Sequence, residues 1–246
     1  MVRTWSIEHE SLPPKKVALF ADFHFSSPGD LEVLSTLKRQ MINENPDLVL
    51  FAGDYIGSHA LYEKVSRDTI VKSLEALAFP KPAFAVLGNH DNWDSHEAWT
   101  RAFEGSSVKL IENQIAKIIF NGTEICVRGL GDVYSGLWEP TELPTECKTT
   151  AITLTHDPSG LLTLDGTVET LSFAGHTHCG QIAFPLIGAP LVPTQAPKDM
   201  HCGKFNRGES GIVSGGLGSS ILPFRFGPST EPGWELIVIE ALKNKN

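Results

Sequence analysis

The chain has 246 residues, 41% of them apolar and 20% charged, with 20 Lys and Arg against 29 Asp and Glu for a formal net charge of −9. This is an ordinary globular composition, long enough for one well-filled core, and it excludes a miniature scaffold held together by disulfides. The acidic balance, without any cluster of Lys or Arg, also excludes a duplex nucleic-acid binder, which must neutralise backbone phosphates.

In the first hundred residues, short apolar runs alternate with helical patterns, the signature of an α/β fold. Residues 1–15 read as a lead-in and 17–21 as the first strand. Asp30 then caps a helix whose Leu34, Leu37 and Met41 recur at helical spacing until Asn45-Pro46 stops it. A second strand is expected over 48–52, a second helix striped by Leu61, Val65, Leu74 and Leu77, and a third strand over 83–87. After Trp99 the pattern turns antiparallel: 115–120 and 124–128 flank Asn121-Gly122, a type I′ hairpin signal. Further strands are expected at 151–155, 170–174 and 235–240. Between 187 and 233, 15 of 47 residues are Gly or Pro, which reads as long ordered loops within a single domain spanning 1–246.

No stretch approaches the ~18 apolar residues of a membrane span and the first residues hold no apolar leader, so the expectation is a cytoplasmic protein, with peripheral membrane contact as the alternative. Cys126, Cys147, Cys179 and Cys202 contain no C-x-x-C pair. Free thiols in a reducing compartment are the simpler reading, and two disulfides are the other.

Chemistry concentrates where the strands end. Five apolar runs pass directly into residues that bind metal or move protons: Asp22-Phe23-His24, Gly53-Asp54, Gly88-Asn89-His90-Asp91, His156, and Gly175-His176-Thr177-His178. The carboxyl ends of parallel strands share one edge of an open sheet, so these residues are expected to converge in a crevice. Asp22, His24, Asp54, Asn89, His156, His176 and His178 offer seven nitrogen or oxygen ligands and no thiolate. That is too many for one tetrahedral zinc and suits two divalent ions, with Asp54 as the natural bridge. Taken singly, each block also has a loop or turn reading; their conjunction at five strand ends points to a dinuclear site.

In this order the blocks resemble the calcineurin-like metallophosphoesterases, over most of residues 15–180. Gly180-Gln181, Pro185-Leu186-Ile187-Gly188, and Gly216-Leu217-Gly218 through Leu222-Pro223-Phe224-Arg225 are similar to a bacterial membrane-associated phosphodiesterase branch. The resemblance implies a four-layer αββα sandwich of two mixed β-sheets flanked by helices, with the metal site at the strand C-terminal ends. It implies one cation on Asp22, His24, Asp54 and His178, and a second on Asp54, Asn89, His156 and His176, with manganese foremost and zinc or iron as alternatives. A hydroxide between the ions would be the nucleophile, His90 would stabilise charge or protonate the leaving oxygen, and Asp91 would orient His90. Two positions depart from the pattern. Gly57 stands where many relatives carry an acid, and Cys179 stands where the branch usually has Gly; Cys179 reads either as a small buried residue or as a thiol near the metals.

The resemblance implies hydrolysis of a phosphodiester or pyrophosphate bond in a phosphorylated small molecule or a lipid-linked substrate, one candidate being UDP-diacylglucosamine. The alternatives are a phosphomonoesterase or protein phosphatase and, from another class, a non-catalytic scaffold, which would show gaps among the ligands where this chain has none. Arg225 is a candidate bidentate partner for substrate phosphate, or else covers apolar surface with its stem. The runs 182–187, 191–192 and 221–224 read as packing beneath the loops, with an apolar lip for an acyl chain or a membrane as the alternative. His9, His59, His96 and His201 have no partner spacing. Trp93, Trp99 and Trp138 read as core or as cleft lining.

Overall fold

The computed structural model describes residues 1–13, 15–57, 64–120, 122–162, 167–220 and 222–242; His59, Leu61, Asn121 and Ile221, named above, lie outside them. In chain order the strands are β1 (Val2–His9), β2 (Lys15–Phe20), β3 (Leu48–Phe51), β4 (Ala83–Ala85), β5 (Val108–Leu110), β6 (Gln114–Phe120), β7 (Thr123–Gly129), β8 (Ala151–Leu154), β9 (Leu171–Ala174), β10 (Gly203–Arg207), β11 (Glu209–Val213) and β12 (Trp234–Ala241). The helices are α1 (Val33–Glu44), α2 (Arg67–Ala78) and α3 (Asn89–Phe103). The strands form two mixed six-stranded sheets, ordered β1-β12-β2-β3-β4-β5 and β10-β11-β9-β8-β7-β6.

Side chains alternate across a strand, so the apolar runs of β2 and β3 serve two cores. Val17, Leu19, Leu48 and Leu50 face the second sheet and pack with Ile125, Val127, Ile152, Leu154, Leu171 and Phe173. Ala18, Phe20, Val49 and Phe51 face the opposite way, onto Leu37, Met41, Ile70, Leu74, Trp99 and Phe103 of the three helices. Burial on both faces is why these strands read as unbroken apolar runs instead of alternating ones. The outer face of the second sheet is covered, among the described residues, by 3₁₀ turns at Thr145–Cys147, Pro158–Leu161 and Lys198–Met200 and by the loops around them.

Three features differ from the sequence reading. Residues 2–9 form β1, which pairs in parallel with β12 from Val2↔Trp234 onward. As a sheet-edge strand with one half-buried face it lacks a continuous apolar run, and it is fastened by side chains instead: buried Glu235 accepts from Arg3 at 2.6 Å and from Trp5 Nε1 at 2.8 Å. The Gly/Pro-rich region contains the hairpin strands β10 and β11, and β11 extends the second sheet by pairing in parallel with β9. The cysteines are paired, Cys126 with Cys147 and Cys179 with Cys202, at Cα–Cα separations of 5.6 and 4.8 Å, within bridging range. Free thiols are therefore not what this chain carries, and the reducing-compartment expectation, which rested on them, loses its basis. Among the described residues no helix is long and apolar enough to cross a membrane.

Candidate metal centre

Strands β2, β3 and β4 run parallel to one another, as do β7, β8, β9 and β11, so their carboxyl ends lie along one edge of each sheet. The two edges meet. His156, following β8, reaches across to the Ala52 carbonyl after β3 at 2.6 Å, and the backbone N–H of His176, after β9, donates to Asp22, after β2, at 3.1 Å. Sharp turns deliver the side chains: Asp22, His24, Asp54, His176 and His178 all have positive φ, between 49° and 68°. Left-handed backbone is unfavourable for such residues and concentrates at functional sites. Space is equally tight, since a Cβ on Gly88 would collide with Asp54 Oδ1 and lie 2.5 Å from the Asp54 backbone nitrogen.

All seven residues proposed as ligands converge. Asp22, His24 and His178 offer ligand atoms within 4.8 Å of one another, and so do Asp54, His156 and His176. Asp54 stands between the two groups. Its Oδ1 accepts the backbone N–H of His90 at 2.9 Å, while Oδ2 lies 3.6 Å from His24 Nε2 and 3.4 Å from His156 Nε2. Asn89 Oδ1 is 3.2 Å from His156 Nε2.

The imidazoles are oriented from behind. His156 Nδ1 donates to the Ala52 carbonyl, and His176 Nε2 donates to the Pro193 carbonyl at 2.5 Å. These outward bonds leave His156 Nε2 and His176 Nδ1 facing each other at 3.1 Å, two lone pairs that only a proton or a cation between them reconciles. On the other side His24 Nε2 and His178 Nε2 lie 3.0 Å apart, but there Arg225 donates to His178 Nδ1, which places the proton of neutral His178 on Nε2, facing the His24 lone pair. The donor set therefore fits a divalent cation on the His156–His176 side of Asp54, and Asp22, His24 and His178 bring ligand atoms together on its other side, where a cation would displace the His178 proton.

Electrostatics agree. Burial pushes His24 down to about 3 and drives His176 and His178 down as well, so all three are neutral donors at pH 7. Burial also works against charge on Asp54, but His156 beside it prevails and holds the carboxyl far below its usual range. His156 moves the other way: burial lowers it, but Asp54, Asp22 and Asp132 together raise it above its usual range. Asp22, buried and close to Asp54, is pushed up to about 7. A site that binds a proton this readily is one that demands positive charge.

The remaining candidates surround this group of side chains. His90 lies at the rim, half-buried, its ring edge-on to His24 at 4.7 Å and its Nε2 3.4 Å from Ser220 Oγ. Asp91, expected to orient His90, spends both carboxylate oxygens on backbone donors. Its Oδ2 accepts from the backbone N–H groups of Asp54 and Gly88, and its Oδ1 from those of Tyr55 and Ile56, which locks the two ligand-bearing turns together. Arg225 donates to the carbonyls of Gly215, Gly218 and Thr230 and to His178 Nδ1 at 2.7 Å, so its guanidinium braces His178 and the surrounding loops rather than offering a free fork to phosphate. Gly57 is vacant for a steric reason, because a Cβ there would collide with Ser26 Oγ and meet the His24 carbonyl at 2.5 Å. Cys179 closes the ligand turn through its disulfide to Cys202. Phe184, Leu186, Ile187, Leu191, Leu222, Phe224 and Phe226 are exposed, which corrects the packing reading and leaves an apolar lip.

The sequence reading missed Asp132, Tyr134 and Pro193. Asp132 is fully buried beyond the end of β7, a further strand reaching the same edge, and the Gly131-Asp132 pair after that apolar run was the available signal.

The calcineurin-like phosphoesterase family model matches residues 15–180. The chain is 27% identical over 190 residues to phosphodiesterase YaeI of Escherichia coli K12, covering 76% of this chain and 68% of that protein. It is 28% identical over 236 residues to the uncharacterized metallophosphoesterase YkuE of Bacillus subtilis, covering 94% and 80%. Identity to the UDP-2,3-diacylglucosamine pyrophosphatase LpxG of Chlamydia trachomatis is 24% over 217 residues, covering 69% and 65%. The crystal structure of a 5′-nucleotidase precursor from Thermus thermophilus matches with a TM-score of 0.50 at 13% identity, over 92% of this chain and 54% of that one, a likeness of fold alone.

Proposed function

Since the chain belongs to the calcineurin-like phosphoesterase family and is a hydrolase, we propose that it cleaves a phosphodiester or pyrophosphate bond with two divalent cations held on either side of Asp54. The observation that carries this reading is the pair of facing lone pairs on His156 and His176, 3.1 Å apart beside Asp54 Oδ2, with the His24 and His178 nitrogens 3.0 Å apart on its other side. Asp22, His24, Asp54 and His178 would hold one ion, and Asp54, Asn89, His156 and His176 the other. When bound, the cations supply an ionised water near neutral pH and neutralise charge on the phosphoryl oxygens. Manganese suits the nitrogen and oxygen donors, with zinc or iron as alternatives; no thiolate competes, because Cys179 is disulfide-bonded.

The chain's own groups do the rest. The His90 backbone N–H fixes Asp54 Oδ1, which keeps Oδ2 directed between the two imidazole couples. The His90 ring stands at the rim, where it can hold a proton for the departing oxygen. The Pro193 carbonyl fixes the ring of His176 with its Nδ1 lone pair toward His156, and Arg225 holds the ring of His178 in place. The relatives named as a phosphodiesterase and a UDP-2,3-diacylglucosamine pyrophosphatase support a diester or pyrophosphate substrate, and the exposed lip formed by Phe184, Leu186, Ile187, Phe224 and Phe226 supports a lipid-linked one such as UDP-diacylglucosamine, reached by peripheral contact with a membrane.

The test reloads metal-stripped protein separately with manganese, zinc, magnesium or iron and compares matched aryl phosphodiester and phosphomonoester substrates. Two ions per chain and faster diester hydrolysis are expected, with His90→Ala lowering kcat by roughly 10²- to 10⁴-fold while retaining metal. Faster monoester hydrolysis under every metal would instead make the protein a phosphomonoesterase.

A further inference from the structure

Two large aromatic side chains stand in water beside the metal centre instead of in a core. Trp93 is 61% exposed and Tyr134 50% exposed, whereas Trp99, on the same helix as Trp93, is fully buried. The helix thus already has its core-facing aromatic, and Trp93 adds little to packing there. The ring of Trp93 lies 5.3 Å from that of His90, and the ring of Tyr134 lies 5.0 Å from that of His176. The two aromatics are 5.8 Å apart at an interplanar angle of 59°. Rings therefore follow one another without a break from His90 to His176, across the mouth of the site, and the middle two form an open corner.

That corner is braced. Asn92, next to Trp93, donates through Nδ2 to Ser135 Oγ, next to Tyr134, at 2.9 Å. The Ser135 backbone N–H in turn donates to buried Asp132 at 2.7 Å. The elements carrying the two rings are joined before any ligand arrives, which lowers the ordering cost of binding.

We propose that Trp93 and Tyr134 form a stacking subsite for a flat, uncharged heteroaromatic ring carried by the phosphate ester, so that the substrate class is a nucleoside-containing phosphodiester or pyrophosphate. This rests on the reading above, which puts the phosphate at the metal centre. One ring offers its face to the base and the other, tilted by 59°, closes on its edge. A cationic headgroup fits less well, because the proposed ions lie on that side of the corner. Stacking on an aromatic side chain tolerates any base, so the corner selects for a nucleoside without selecting which one.

The test uses manganese-loaded protein and two probes with the same phosphate and sugar, uridine 5′-monophosphate and ribose 5-phosphate, with binding read by calorimetry. Uridine monophosphate should bind roughly 5- to 150-fold more tightly, the range expected for one stacked base. Trp93→Ala and Tyr134→Ala should each shrink that ratio, and Trp93→Phe should keep most of it, with bound metal and thermal melting confirming that each variant is folded. Equal binding of the two probes by the wild-type protein, or a ratio untouched by both alanine variants, would overturn the proposal. Uridine 5′-(methyl phosphate) and glycerol 3-(methyl phosphate) then separate the two readings. If the binding ratio behaves as described and neither diester is cleaved, stacking stands and the diesterase reading fails. If both are cleaved at similar kcat/KM and Trp93→Ala leaves their ratio unaltered, the diesterase reading stands and stacking fails.

Discussion

Replacing Asp91 by Asn changes no volume and removes one acceptor, which makes it a clean test of how the two ligand turns are held. In the native protein each carboxylate oxygen accepts two backbone N–H bonds, at 2.8 and 3.0 Å for Oδ2 and at 2.9 and 3.1 Å for Oδ1. An asparagine must turn its NH₂ group toward one of these pairs, leaving two buried amide donors facing another donor. Each unsatisfied buried donor costs about 1–3 kcal/mol, so Asp91→Asn should destabilise by about 2–6 kcal/mol, a large part of the ~5–15 kcal/mol a domain has. The loss falls on Asp54, whose own backbone N–H is one of the four, so metal affinity should fall with stability. The assay is thermal and urea unfolding with and without manganese, together with metal content after dialysis. An Asp91→Asn protein with wild-type melting and two retained ions would refute the clamp, as would one that keeps stability and metal while losing only turnover, the signature of a residue acting on His90.

Glu112 is expected to make stability depend on pH. Burial, reinforced by Asp132, raises its carboxyl to about 7 from an ordinary 4.5, so its contribution is intact below 4.5 and is lost as pH rises through 7. That difference corresponds to roughly 3 kcal/mol, and Glu112→Gln, which stays neutral, should melt about 6–12 °C above the wild type at pH 8 and close to it at pH 4.5. A gain that is the same at both values would contradict the assignment. Gly57→Ala should displace the His24 carbonyl and lower bound metal, measured on purified protein, because its Cβ has only 2.5 Å of room there. Cys179→Ser, which opens the link to a residue 23 positions away, should cost about 3 kcal/mol in denaturant unfolding and weaken metal retention next to His178. Cys126→Ser should cost a similar amount with metal content unaltered, since that pair lies on the outer face of the second sheet.

The convergence of the strand-end residues was legible because each block is local. A metal-binding residue one or two positions past an apolar strand needs only the strand's direction to reach the shared edge, and parallel pairing supplies that direction for Asp22, Asp54, Asn89, His156 and His176 alike. Strands buried on both faces announced themselves in the same way, as continuous apolar runs. What depends on partners far away in sequence was not legible. β1 exists because it pairs with a strand more than 200 residues later, and β11 because β9 offers it an edge, although its own sequence is rich in small residues. The direction of a polar side chain is likewise settled by competition among donors and acceptors that only the fold assembles. Asp91 turned inward because four amides converge on it, Arg225 turned to His178 and three carbonyls, and each cysteine found a partner that spacing could not name. The sequence by itself thus determined which residues meet at the strand ends; the tertiary structure decided which of them turn their donor atoms toward Asp54, which hold the others in place, and which aromatic and apolar side chains are left in water around the site.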